Sequence, residues 1–190
     1  MSTVAAIQGS TWAVVAYDSQ VTEDGDGGRT YTLPRGMDKV CQNKGYVLGV
    51  AGDFRAVNIV SFVFDPPSPP AKRGHDLDVF MSAKFVPSLR GCFEASYYSK
   101  DGEHGSLLIV VVNGVVYEIG GNYDCIRDEA GLYAIGSGAA YALGSLYESE
   151  SEKRTLKNAK DRAESAVQIA AILDSGSGEP VRMLVQHWTP

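Results

Sequence analysis

Apolar positions fall into two kinds of segment along this chain. Some form short, nearly unbroken runs; others recur every three or four residues over longer stretches. Ser2 to Gln8 alternates loosely, Gly9-Ser10 is a turn signal, and Trp12 to Tyr17 is continuously apolar. The chain is therefore expected to open as strand, turn, strand. Glu23 to Gly36 is polar and rich in Gly and Asp, which predicts a loop. Lys39 to Cys41 and Tyr46 to Ala51 predict a second strand pair around the turn Asn43-Lys44-Gly45. Asp53 is placed to cap a helix running to Phe64. The prolines between Asp65 and Pro70 end that helix, because proline lacks an amide hydrogen and fixes φ.

His75 to Ser96 again carries helical spacing, through Leu77, Phe80, Met81, Lys84 and Phe85, with a kink expected at Pro87. Ser106 to Val112 and Val115 to Ile119 are strand-like runs joined by Asn113-Gly114, a strong hairpin signal. Leu132 to Ile135 reads as a strand entering Gly136-Ser137-Gly138. Helices are then expected from Ala139 to Glu148 and from Glu152 to Leu173, and a last strand from Val181 to Gln186. Runs of strands followed by runs of helices, twice over, predict an α+β fold with stacked layers.

Composition narrows the classes of function. A length of 190 residues with 44% apolar and 21% charged positions fits one globular domain over 1–190. The formal charge of −6 and the scattered Lys and Arg argue against a nucleic-acid partner. The longest apolar run, Leu107 to Val112, is strand-sized, so no membrane span is expected. The N-terminus shows no basic region leading into a hydrophobic segment, so no signal peptide is expected. Cys41, Cys92 and Cys125 are odd in number, widely spaced and without neighbouring His. They predict reduced thiols in a cytoplasmic protein, with neither a metal site nor a cofactor.

Single motifs carry little. Gly136-Ser137-Gly138 lacks the Lys-Ser/Thr of a P-loop, and no Gly-x-Ser-x-Gly elbow or zincin pair is present. His75, His104 and His187 are isolated, and the acidic clusters at Asp24-Gly-Asp26 and Glu148 to Glu152 read as solvated surface.

The series as a whole says more. Ser2 and Thr3 lead an apolar strand, and Asp18 stands sixteen residues after Ser2 within Ala13 to Thr22. Lys39 precedes Val40, and Val50-Ala-Gly-Asp53 follows. Later come Tyr133-Ala-Ile-Gly-Ser-Gly-Ala-Ala-Tyr-Ala142 and Asp174-x-x-Ser177-Gly178. In this order and spacing the sequence resembles the proteasome β-subunit family of N-terminal nucleophile hydrolases, and is most similar to the HslV-type peptidases. The resemblance implies a four-layer αββα sandwich, stacked homo-oligomeric rings, unfolded polypeptide as substrate and an AAA+ ATPase unfoldase as partner. Carried over residue by residue, it makes Ser2 the nucleophile after removal of Met1, with Asp18 and Lys39 as the adjoining ion pair. Gly52 would supply an oxyanion-hole amide, and Ser137, Asp174 and Ser177 would orient the N-terminus.

The chemistry is coherent on its own terms. A hydroxyl needs a base within hydrogen-bond reach to become a nucleophile. An α-amine, with a reference pKa of about 7.7–8.0, can serve as that base near neutral pH. Two departures from the family pattern matter. Ser2 replaces the usual Thr, so the β-methyl that restricts χ1 is missing. With Met1 attached, the Ser2 nitrogen would be an amide and no base. A catalytically silent structural subunit that keeps Met1 is therefore the alternative expectation, and a small amide hydrolase using the same nucleophile is a third. Thr3 is a poor substitute, because a one-residue slip reverses strand facing.

Overall fold

The computed structural model describes residues 2–22, 28–150 and 154–189. Met1, residues 23–27 at the start of the expected 23–36 loop (Asp24 and Asp26 among them), residues 151–153 including Glu152, and Pro190 lie outside the described residues.

Two antiparallel sheets face each other. In the first, β1 (Thr3–Gln8), β2 (Trp12–Tyr17), β10 (Leu132–Gly136) and β11 (Arg182–His187) lie in the order β10-β1-β2-β11. In the second, β5 (Val40–Asn43), β6 (Tyr46–Gly52), β7 (Ser106–Val112), β8 (Val115–Ile119) and β9 (Cys125–Ile126) follow in chain order. The outer face of the second sheet carries α1 (Phe54–Phe62), α2 (His75–Phe80) and α3 (Val86–Ala95). The outer face of the first carries α4 (Ala139–Glu148) and α5 (Leu156–Leu173). The result is the αββα layering that the family resemblance implies.

That layering explains the unbroken apolar runs. An antiparallel sheet with one wet face alternates apolar and polar side chains, whereas these strands are covered on both faces. On β7, Ile109 and Val111 enter the core between the sheets, while Leu108, Val110 and Val112 pack under α1 to α3. On β1, Val4 and Ala6 face the other sheet, and Ala5 and Ile7 face α4 and α5. Small residues on α5, Ala159, Ala163, Ala166 and Ala170, let that helix lie close against the sheet.

Four local outcomes refine the sequence expectations. Asn113 and Gly114 both have positive φ, 52° and 66°, as the two-residue hairpin turn requires. The break near Pro87 is a π turn, Met81–Phe85, between α2 and α3, in which the Val86 amide donates to the Met81 carbonyl. Proline cannot donate to the carbonyl four residues back, and a π turn absorbs the mismatch. The polar 23–36 segment is not wholly loop: β3 (Gln20–Thr22) pairs with β4 (Thr30–Thr32) in a separate two-stranded ribbon. The final helix starts at Leu156, where Thr155 and Asn158 form a reciprocal capping box.

Candidate active site

The ends of several elements converge where β1 begins. Ser2 precedes β1, Asp18 follows β2, and Gly136 to Gly138 link β10 to α4. Asp174 is the C-cap of α5. Lys39 and Gly52 come from the opposite sheet, just before β5 and at the last residue of β6.

Asp18 organises one side of this junction. Its Oδ1 accepts from Lys39 Nζ at 2.6 Å and from the Thr3 amide at 2.9 Å. Its Oδ2 accepts from the Gln20 and Gly178 amides, both at 3.0 Å. Three backbone donors and a lysine thus fix a fully buried carboxylate. Burial lowers the Lys39 pKa from its ordinary value, and the Asp18 charge and hydrogen bond oppose that shift.

Asp174 organises the other side. Its Oδ2 accepts from Ser137 Oγ at 2.7 Å and from Ser177 Oγ at 2.6 Å. Partial burial would raise its pKa, yet the two hydroxyls and the Gly176 amide hold it below the usual carboxylate value. Ser137 Oγ in turn accepts from the Ser2 nitrogen at 3.2 Å. Ser177 reaches a different residue, sharing a 2.6 Å hydrogen bond with Thr3 Oγ1. The Thr3 hydroxyl is thereby committed to the α5 end, and it is fully buried.

Two glycines make the convergence sterically feasible. Gly136 has φ +100°, and a Cβ there would lie 2.0 Å from the Ser2 carbonyl oxygen. Gly52 has φ +123°, and a Cβ there would lie 2.6 Å from the Gly105 carbonyl oxygen. Neither position tolerates a side chain without moving backbone.

Ser2 opens onto two cavities. One, of about 580 Å³, is lined by Ser2, Lys39 and Gly52 together with the apolar Val50, Phe54 and Val57. The other, of about 390 Å³, is lined by Ser2, Gly52, Ser137, His104 and Ser106. All seven residues singled out in the sequence are therefore brought to one junction, Ser177 through Thr3 rather than through Ser2. Thr3, Gly136, Phe54 and Ser106 were not singled out for a site role. Thr3 and Gly136 flank motif residues and could have been found from the strand register; Phe54 and Ser106 carry no local signal. Among the described residues, no cluster of His, Cys, Asp or Glu is placed to hold a metal ion, and no helix is long and apolar enough to cross a membrane.

By sequence the chain matches no family model and no curated protein. By structure it matches whole chains. Thiobacillus denitrificans BPH in complex with epoxomicin superposes with a TM-score of 0.77 at 19% identity, covering 99% of this chain and 100% of that one. A second structure of Thiobacillus denitrificans BPH gives 0.74 at 18% identity, with 99% of both chains covered. The eukaryotic HslV of Trypanosoma brucei gives 0.66 at 20% identity, covering 97% of this chain and 99% of that one. The chain has the proteasome-like α+β fold that these structures share.

Proposed function

We propose that this protein hydrolyses peptide bonds with Ser2 as an N-terminal nucleophile, exposed by removal of Met1. The reading rests on one observation above all. The Ser2 nitrogen is held on Ser137, and Ser2 shares a cavity with the buried Lys39 and with Gly52.

In this mechanism Ser2 Oγ attacks the substrate carbonyl carbon, and its proton passes to the freed α-amine of the same residue. The Lys39 ammonium favours the alkoxide electrostatically and lowers the α-amine pKa, while Asp18 keeps Lys39 charged and fixed. The Gly52 amide receives the oxyanion, an interaction that strengthens as charge develops in the transition state. The α-ammonium then protonates the leaving nitrogen as the C–N bond breaks, leaving an ester on Ser2. Water, deprotonated by the same amine, hydrolyses that ester and restores the hydroxyl. Asp174 and Ser177 act at one remove, by holding Ser137 and the start of β1.

The surrounding biology follows the same resemblance. The domain 1–190 would assemble into stacked homo-oligomeric rings in the cytoplasm, enclosing the site so that only unfolded polypeptide reaches it. An AAA+ ATPase unfoldase would feed it. No nucleic acid or membrane enters this reading.

The test uses epoxomicin, the compound bound in the Thiobacillus denitrificans BPH structure. Processed wild-type protein should cleave peptides and carry an epoxomicin adduct on its N-terminal peptide, located by mass spectrometry. Ser2→Ala and an N-terminally extended, uncleavable chain should both lack adduct and activity while staying folded. Label on Ser137 or Ser177, or full activity in the extended chain, overturns the mechanism. An intact mass that retains Met1 in protein from its native host would instead indicate a silent structural subunit.

A further inference from the structure

Gly52 is an unusual place to anchor a transition state. Without a Cβ and at φ +123°, its own sterics do little to fix the direction of its peptide plane. Whatever orients that amide must come from its neighbours. Ser106 stands directly across the ladder from Gly52, as the first residue of β7. Its Cα and Oγ lie within 2.9 Å of where a Gly52 Cβ would be, so the serine fills the face that the glycine leaves bare. Ser106 is buried. Serine hydroxyls otherwise hop among three χ1 wells. Here Ser106 Oγ shares a 2.7 Å hydrogen bond with the Tyr98 hydroxyl.

The Tyr98 ring is itself held. It meets Phe93 edge-on at 5.0 Å between centroids, and Phe93 also packs against His104 at 5.0 Å and Tyr123 at 6.4 Å. The aromatic cluster at the end of α3 is thus connected by one hydrogen bond to the floor of the 390 Å³ cavity that Ser2 shares.

We propose that Tyr98 and Ser106 are positioning residues that hold the Gly52 amide toward the reacting carbonyl, through the Tyr98–Ser106 hydrogen bond and the contact of Ser106 with Gly52. This rests on the peptidase reading above. Neither side chain touches the reacting atoms in that scheme; both act through Gly52. Their effect therefore falls on the transition state, where the oxyanion exists, and not on the bound substrate.

The experiment pairs kinetics with a signal from Gly52 itself. Tyr98→Phe keeps the ring and removes the hydroxyl; Ser106→Ala removes the other partner. Each should lower kcat about tenfold, a fraction of the ~10²–10³ that a lost oxyanion donor costs, with KM unchanged. The double variant should be no slower than Ser106→Ala alone, because Tyr98 acts only through Ser106. Amide exchange at Gly52, followed by NMR, should quicken in both single variants. Wild-type kcat in both variants, or additive losses in the double variant, overturns the proposal and leaves the peptidase reading intact. An unchanged Gly52 amide overturns it whatever the kinetics. A wild-type chain that cleaves nothing, yet shows the Gly52 response, leaves the buttress standing and overturns the peptidase reading.

Discussion

Lys39 and Asp18 meet at 2.6 Å with side chains only 1% and 0% exposed, linking the end of β2 in one sheet to the start of β5 in the other. The pair is unequal. Lys39 is bound only by Asp18 in the described contacts, whereas Asp18 also accepts three backbone amides.

That inequality predicts an order of damage. Lys39→Met leaves Asp18 with three donors, while Asp18→Ala strands a buried ammonium and three amides together. Both should abolish hydrolysis. Breaking a buried pair costs about 3–5 kcal/mol, and Asp18→Ala should sit at or beyond the upper end. Urea denaturation of the two variants checks this; equal midpoints would show that the amides contribute nothing.

His104 predicts a pH dependence of stability. It is buried against Phe93, Tyr98 and Tyr123, and burial lowers its pKa from the ordinary 6.5. Its ring contacts are aromatic, and a backbone hydrogen bond with Gly120 opposes the shift without cancelling it. The unfolded chain therefore binds this proton more readily than the folded one, so stability falls as pH drops below about 6.5 toward the folded pKa. His104→Phe should flatten that slope between roughly pH 5 and 7 in thermal melts. Parallel curves for the two proteins would rule the contribution out.

Gly136→Ala should disturb the N-terminus specifically. The added methyl must displace the Ser2 carbonyl, and φ +100° is itself strained for alanine. A loss of about 1–3 kcal/mol is expected, together with loss of epoxomicin labelling. Normal labelling in the folded variant would mean that Ser2 can shift without consequence.

Phe54 predicts a change of cleavage preference. It and Val57 line both the 580 Å³ cavity beside Ser2 and a neighbouring cavity of about 340 Å³ bounded by Met37, Cys41 and Leu184. Phe54→Ala should join the two and shift cleavage toward peptides with Phe or Trp before the scissile bond. A peptide library profiled on both proteins reads this directly, and an unchanged profile would place the Phe54 ring outside the substrate's path.

The layered fold was legible because its strands are covered on both faces, which writes long apolar runs such as Leu107 to Val112 into the sequence. Turn chemistry placed the Asn113-Gly114 hairpin, and the motif series brought Ser2, Asp18, Lys39, Gly52, Ser137, Asp174 and Ser177 together. The ribbon of β3 and β4 was not legible, since Thr30, Tyr31 and Thr32 are all exposed and carry no apolar alternation. The start of α5 was missed because its capping box closes with Asn158, where the usual pattern has Glu or Gln. The Tyr98–Ser106–Gly52 chain depends on cross-strand register and on a loop contact, neither of which leaves a local trace.

Thr3 and Ser177 are 174 positions apart, yet their hydroxyls meet at 2.6 Å, and the Gly178 amide closes on Asp18. A nascent chain that has emerged only through β10 would present Thr3 and Asp18 without these partners. The seating of the N-terminal strand is thereby postponed by topology: the segment after α5 must be made before Thr3 and Asp18 acquire these partners.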